Sequence, residues 1–350
     1  MKQHEIFMLR CIELAKNGSG NVAPNPLVGC VVVHEGKIIG EGYHRKYGEA
    51  HAEVNAISNV EDKSLLEKCT VYVNLEPCAH YGKTPPCADL LIKYKVPLVV
   101  IGCFDTFSEV SGKGIKKLEN AGCQVIVGIL EKQARDLNKR FFKFHEKKRP
   151  YVILKWAQTI DGYIDKVRLP GQESMQNKIS SNLSQVLVHK WRSQEQAIMV
   201  GTNTALYDNP KLNVRCFSGN DPIRIVIDKN LRLPFELHLF DQSIPTLVFT
   251  QQEKESKNNL QYISINLKNL PAEISNELYN RNIQSLFIEG GSILINSFIE
   301  DGIWDEARVF ISPMHYEKGI KAPVLKNADL VSTDTIEFDF LNCYKNNKPQ

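Results

Sequence analysis

The residues of this chain best suited to chemistry are His51-Ala52-Glu53, Pro77-Cys78 and Pro86-Cys87. Two thiolates and one imidazole make three ligands for a zinc ion and leave its fourth position open to water. Glu53, a carboxylate outside the ligand set, can then move the proton that the water gives up. The pattern is demanding, because the residue types must come in one order. The alternative is a closed structural zinc site with four protein ligands, for which His80 is the available fourth. Such a site gives the His-x-Glu pairing no purpose.

These side chains need elements to converge them. A helix beginning near Ala50 carries His51 and Glu53. Two residues lie about 200° apart on an ideal helix, so its N-terminus must face the metal if both are to reach it. A strand over 70–75 delivers Cys78, and Pro85-Pro86 suits a helix start ahead of Cys87. Helix N-terminal dipoles help keep such thiolates ionised. Around this centre, residues 3–17 read as a helix ending at Asn17-Gly18, and 28–33 with 37–43 as a hairpin turning at Glu35-Gly36. Strands over 97–103 and 124–129 and helices over 85–94 and 114–121 complete a three-layer α/β pattern around a mixed sheet. Residues 131–149 read as one basic helix with Lys143, Lys147, Lys148 and Arg149 on a solvated face, stopped by Pro150.

The chain has 350 residues, which favours two domains, read as 1–148 and 149–350. Hydrophobic and charged contents of 43% and 24% are ordinary for globular chains, so each half can bury a core. A net charge of +3 is too small to argue for nucleic acid or an anionic membrane. No apolar run approaches the roughly 20 residues that span a bilayer, and the N-terminus leads into an amphipathic helix rather than a signal-peptide core. The nine cysteines are an odd number without a regular framework, and Cys30, Cys103 and Cys123 sit beside apolar strands. Buried free thiols and a reducing, cytoplasmic location are expected.

After Pro150 the signals restart. Strands are expected over 151–156, 197–201, 223–228, 246–250, 285–289 and 307–312, helices over 182–193, 272–281 and 292–301, and a polar loop over 251–259. Polar clusters fall at the strand ends: 155–162, 189–192, 201–210 and Glu289-Gly290-Gly291-Ser292. The last has a strand, Gly-Gly, helix form that leaves backbone N–H groups free for a phosphate. There is no Gly-x-Gly-x-x-Gly, so a standard Rossmann dinucleotide site is not supported.

The zinc-type motif resembles that of the cytidine/guanine/tRNA-adenosine deaminase superfamily, and within it the deaminase half of the bifunctional riboflavin-biosynthesis deaminase/reductases. Three segments carry the match: 23–30 (Ala-Pro-Asn-Pro-Leu-Val-Gly-Cys), Gly42-Tyr43-His44 to Gly48, and 77–87. Eight residues separate Cys78 from Cys87, where most nucleic-acid and nucleoside deaminases have two, and the inserted His80-Tyr81-Gly82-Lys83-Thr84 is typical of the riboflavin enzymes. The resemblance implies a cytidine-deaminase-like fold, one Zn2+ per chain on His51, Cys78 and Cys87, and Glu53 as acid/base. It also implies substrate contacts at Asn25, His44, His80, Lys83 and Thr84. His80, Lys83 and Thr84 could clasp a phosphate or ribose.

Residues 151–325 are similar to the reductase half of the same family, which has a dihydrofolate-reductase-like fold. That resemblance implies NADPH contacts at Gln158, Thr204, Asp208, Gly290, Gly291 and Ser292, and substrate contacts at Arg192, Leu212, Arg215 and Glu289. The two arginines suit phosphate, which a guanidinium fork binds bidentately. Lys155 and Asp208 are the polar residues nominated nearest the reduction, Lys155 as its catalytic group. Two positions depart from the family: Lys178 stands where a Trp packs on the cofactor, and Gln176 where Ser is frequent. The implied function is riboflavin biosynthesis on small phosphoribosyl-pyrimidines, by a homo-oligomer (dimer or tetramer) with no nucleic-acid or membrane partner. A tRNA-editing deaminase with an accessory domain calls for a basic groove and the two-residue cysteine gap. A zinc-stabilised binding protein calls for no Glu53.

Overall fold

The computed structural model describes residues 2–81, 85–105, 112–167 and 177–348. Lys83, Thr84 and Gln176 lie outside these residues. The chain separates into two compact units, Met1–Lys148 and Arg149–Gln350.

In the first unit the elements run α1 Lys2–Lys16, β1 Gly29–His34, β2 Lys37–Tyr43, α2 Ala52–Ser58, β3 Thr70–Leu75, α3 Cys87–Lys93, β4 Leu98–Cys103, α4 Lys113–Asn120, β5 Gln124–Val127, α5 Glu131–Leu137 and α6 Lys139–Lys147. The sheet order is β2-β1-β3-β4-β5, antiparallel through the first three strands and parallel through the last three. Side chains alternate across it. Cys30, Val32, Val71, Val73, Val99 and Ile101 face α2, α3 and α4, while Val31, Val33, Tyr72 and Val100 face α1. That alternation produces three layers. Gly42 lets α2 lie against β2, since a Cβ there would stand 2.3 Å from the Ala56 nitrogen. The basic segment 131–149 is two helices rather than one, broken at Asn138. Its Oδ1 and Nδ2 grip the Leu27 backbone at 2.8 and 2.9 Å. Phe141, Phe142 and Phe144 are buried.

The second unit begins with β6 Tyr151–Thr159, β7 Tyr163–Asp165, α7 Asn182–Arg192, β8 Ala197–Val200, α8 Thr202–Asp208, β9 Ile223–Ile227, β10 Thr246–Thr250 and β11 Leu260–Ser264. It continues through α9 Leu270–Asn280, β12 Ser285–Glu289, α10 Ser292–Asp301, β13 Glu306–Ser312, β14 Ile320–Lys321, β15 Ala328–Ile336 and β16 Asp339–Asn346. Nine strands form one sheet in the order β11-β10-β9-β8-β12-β6-β13-β16-β15. It is parallel from β11 to β13 and closed by the antiparallel β16 and β15. Val152, Leu154 and Trp156 pack towards α9 and α10, and Tyr151 and Ile153 towards α7. Arg149, expected on a solvated face, instead makes a bidentate pair with Asp305 at 2.7 and 2.9 Å, both side chains largely covered. Among the described residues, no helix is long and apolar enough to cross a membrane.

Candidate active sites

Two helix N-termini converge in the first unit. His51 is the N-cap of α2, with extended backbone angles (φ −70°, ψ 167°), and Cys87 is the first residue of α3. Because His51 stands just outside the helix, the 200° separation expected of a helical pair does not arise, and Glu53 follows in the first turn, buried. His51 Nδ1 lies 3.6 Å from Cys78 Sγ and 3.3 Å from Cys87 Sγ. All three donor atoms fall within 4.8 Å of one another, a separation that one tetrahedral ion can bridge. The α3 N-terminus also holds Cys78: the Cys87 N–H donates to Cys78 Sγ at 3.3 Å and the Ala88 N–H to the Cys78 carbonyl at 3.1 Å. The hydrogen bond with Cys87 draws the Cys78 thiol down to about 4, and the bond with Cys78 raises His51. Burial raises Glu53. One imidazole, two sulfurs and a carboxyl excluded from the ligand set fit zinc with one position left open. His80 is exposed and outside the ligand cluster, so no four-ligand knuckle forms with it.

Asn25 and His44 come together beside the ligands. Asn25 Nδ2 is 3.1 Å from His44 Nε2, His44 Nδ1 is 3.1 Å from the Ala50 carbonyl, and the His44 ring packs edge-on to His51 with centroids 5.4 Å apart. Both ring nitrogens of His44 therefore have protein partners, which makes it a support for Asn25 and His51. Three supporting residues went unread in the sequence. Asn74 on β3 accepts the Gly29 N–H at 2.7 Å and donates to the Leu27 carbonyl at 3.0 Å, and Asn138 grips the same Leu27 backbone. Glu76, buried just before Pro77-Cys78, accepts N–H bonds from Gly112 and Gly114, each at 3.0 Å. The available signals were a lone amide in an apolar strand, a polar interruption of a helical pattern and a carboxylate abutting the Pro-Cys.

In the second unit a cleft of about 810 Å³ opens where β8, β9 and β12 end and β6 runs on. Parallel sheets bind ligands at this edge. Lys155, Arg192, Thr204, Asp208, Leu212, Arg215, Glu289, Gly290, Gly291 and Ser292 all line it, as does Lys178. Gln158 is not among the lining residues; its Oε1 accepts from Trp156 Nε1 at 2.8 Å. Gly290 and Gly291 have φ of +79° and +70°, and a Cβ on either would come within 3.2 and 3.1 Å of the Thr204 side chain. The Gly-Gly turn is thus a bare backbone cradle. It opens α10, whose N-terminus has no side-chain cap, a geometry that fits the phosphates of NADPH. Lys178 bonds to Asn182.

Glu289 organises the charge. Arg192 Nε and Nη2 meet its two oxygens at 2.6 and 2.8 Å, and Lys155 Nζ stands 4.0 Å away. Burial would raise the Glu289 carboxyl, but Arg192 and then Lys155 outweigh it and hold the group at about 2. Burial lowers Lys155, with Glu289 opposing. Arg192 Nη1 also donates to the Asn213 carbonyl at 3.1 Å, so three of its five N–H groups are engaged by protein. Arg215, by contrast, is exposed, and its guanidinium donates to the nearby Asn213 Oδ1 at 3.2 Å. Of the two arginines expected to clamp phosphate, Arg215 is the better placed. His189, buried in the same wall, went unassigned in the sequence.

Each unit has the architecture of a known enzyme class: a cytidine-deaminase-like fold around a zinc-type donor set, and a dihydrofolate-reductase-like fold around a cofactor cleft. The family model of the cytidine and deoxycytidylate deaminase zinc-binding region matches residues 1–103, and that of the RibD C-terminal domain matches residues 150–316. The chain belongs to the RibD family of riboflavin biosynthesis proteins. It is 39% identical over 324 residues to the riboflavin biosynthesis protein RibD of Aquifex aeolicus, covering 90% of this chain and 88% of that one. A crystal structure of a diaminohydroxyphosphoribosylaminopyrimidine deaminase/5-amino-6-(5-phosphoribosylamino)uracil reductase from Thermotoga maritima superposes with a TM-score of 0.90 at 36% identity, covering 99% of each chain. Acinetobacter baumannii RibD gives 0.88 at 32% identity, covering 98% of this chain and 99% of that one.

Proposed function

We infer that this chain performs two steps of riboflavin biosynthesis, hydrolytic deamination of 2,5-diamino-6-(5-phosphoribosylamino)pyrimidin-4(3H)-one and NADPH-dependent reduction of the resulting ribosyl group to ribityl. The observation that carries this reading is the His51, Cys78 and Cys87 cluster with buried Glu53 beside it, in a chain similar over its whole length to a deaminase/reductase. Residues 1–148 are assigned the deaminase and 149–350 the reductase.

His51, Cys78 and Cys87 would hold zinc, which supplies the Lewis acidity for hydrolysis when bound. Glu53 takes a proton from the attacking water and passes it to the ring nitrogen, then carries the second water proton to the amino group, so the amine leaves as ammonia and the water oxygen stays as the ring carbonyl. Asn25, fixed by His44, reads the ring edge, and His80 with Lys83 and Thr84 reaches the phosphoribosyl group. In the second unit Thr204, Asp208 and the Gly290-Gly291-Ser292 turn would hold NADPH, the hydride donor. Arg215 takes the substrate phosphate. Glu289 and Arg192 fix Lys155 beside the sugar, and Leu212 closes the apolar side of the cleft.

Small-molecule substrates follow from the family, with no role for nucleic acid. A homo-oligomer is proposed on the exposed Leu330, Val331 and Phe340 of the closing hairpin. A cytoplasmic setting is proposed on nine cysteines, all of them free. The direct test supplies the zinc-loaded chain and NADPH with the diaminopyrimidine and follows ammonia and NADPH together. Release of ammonia followed by stoichiometric NADPH oxidation is expected. No ammonia from zinc-loaded protein would reject the assignment.

A further inference from the structure

The wall of the reductase cleft formed by residues 212–215 is held in a conformation it would not choose alone. Leu212 has φ +48°, in the left-handed region that leucine rarely enters, and its side chain is buried. A residue persists there only when its surroundings fix the backbone around it. Three hydrogen bonds from outside the loop do so. Asp221 Oδ1 accepts the Val214 N–H at 2.6 Å, Arg192 Nη1 donates to the Asn213 carbonyl at 3.1 Å, and His189 Nδ1 accepts the Arg215 N–H at 3.2 Å. His189 and Arg192 are three residues apart in the last turn of α7 and so share one face.

The chemistry of His189 follows from its partner. A backbone N–H can only donate, so Nδ1 is bare and the ring is neutral with its proton on Nε2. The setting agrees: the residue is 2% exposed. Burial first, and then the neighbouring Arg192 and Arg215 charges, lower it to about 4.

We propose that His189 is a positioning residue of the reduction, whose bare Nδ1 fixes the Arg215 backbone and thereby aims the guanidinium that takes the phosphate of the phosphoribosyl substrate. This rests on the reading of Arg215 as the phosphate clamp. Among the described residues no hydrogen bond joins His189 to the Gly290-Gly291 turn, so the effect expected of it is on substrate affinity.

The test compares H189L, H189N and R215M in the full-length, zinc-loaded chain. Asn carries an amide oxygen close to where Nδ1 stands and can accept the same N–H, whereas Leu cannot. For 5-amino-6-(5-phosphoribosylamino)uracil, H189L is expected to raise KM about tenfold, the scale of one lost hydrogen bond, with kcat altered less than about twofold. The NADPH dissociation constant, read by quenching of protein fluorescence, stays at the native value, and H189N returns KM to within about threefold of native. R215M raises KM at least as much as H189L, and the double variant adds little beyond R215M. If R215M leaves KM unchanged, the phosphate-clamp reading fails and takes this inference with it. If R215M raises KM but H189L does not, or H189N is as impaired as H189L, the role of His189 alone is refuted. A parallel loss of NADPH affinity in H189L would mark a general structural role and also refute it.

Discussion

In the N-terminal unit three donor atoms lie within 4.8 Å of one another, whereas the candidate residues of the C-terminal unit line a cleft of about 810 Å³. The first site is built by convergence. A metal ion needs donors of fixed type at bond length, so two helix N-termini and a Pro-Cys turn must meet at one point. The second is built by dispersion. A dinucleotide and a phosphoribosyl-pyrimidine together need a long wall, and the sheet supplies it by ending several parallel strands along one edge. Their electrostatics differ in kind as well. In the first site, among the described residues, no lysine or arginine pairs with the buried Glu53 carboxyl, which burial raises. The second ties Glu289 to Arg192 at 2.6 Å and holds Lys155 4.0 Å away, so its carboxylate is fixed by cations.

The sharpest way to break this contrast is E53Q. Its amide keeps the shape but cannot carry the proton, so ammonia release should fall by roughly 10²–10⁴ while metal analysis still finds one zinc per chain. Reduction of separately supplied 5-amino-6-(5-phosphoribosylamino)uracil should be unaffected. Retained deamination would show that the first site does not use Glu53 as its acid/base.

E289L addresses the fixed array. It leaves Arg192 and Lys155 buried without their carboxylate, and breaking a buried pair in this way costs about 3–5 kcal/mol. Urea denaturation should show the second unit unfolding earlier, and the first unit should keep its midpoint. An unchanged midpoint would mean that the array contributes little to folding.

Acid sharpens the same point with the milder E289Q. Glu289 is held at about 2 in the fold against an ordinary 4.5, so its ionised form stabilises the folded state above pH 4.5, and that stabilisation is lost as pH falls towards 2. The stability gap between native protein and E289Q should narrow across this window, as measured by urea midpoints at several pH values. A gap independent of pH would contradict the assignment.

The smallest effect is expected from G291A. At φ +70°, with Thr204 Oγ1 3.1 Å from a new Cβ, alanine should cost about 1 kcal/mol and weaken NADPH binding several-fold. A calorimetric titration checks this, and undiminished binding would remove the turn from the cofactor site.

The difference between the sites also explains what could be read in advance. His51, Glu53, Cys78 and Cys87 were legible because few folded roles require those types in that order. The strands Thr70–Leu75, Thr246–Thr250 and Ser285–Glu289 were legible as short apolar runs, since parallel strands are buried on both faces. The hairpin β15–β16 was not, because β15 is an edge strand, seven of its nine residues exposed, with no apolar run or strict alternation to announce it. Arg149 was misread as part of a solvated face, and the break at Asn138 was missed within one continuous helix. Nothing local to residue 149 announces Asp305, and nothing near residue 138 announces the Leu27 backbone. His189 stayed silent for the same reason: its partner lies in a loop 26 residues on.

The order of the strands bears on how the chain is made. β1 finds β2 and β3 directly after it, so the first sheet grows as its sequence emerges. β6 lies between β12 and β13, with Tyr151 paired to Ser285 and Ile153 to Glu306. Pairing over such separations is slow and leaves apolar strands uncovered meanwhile. On the ribosome the deaminase core can therefore close, with its three zinc donors assembled, while β6 still waits for both neighbours. β16 pairs with β13 and β15, so this side of the reductase sheet forms only after β6 has found its neighbours.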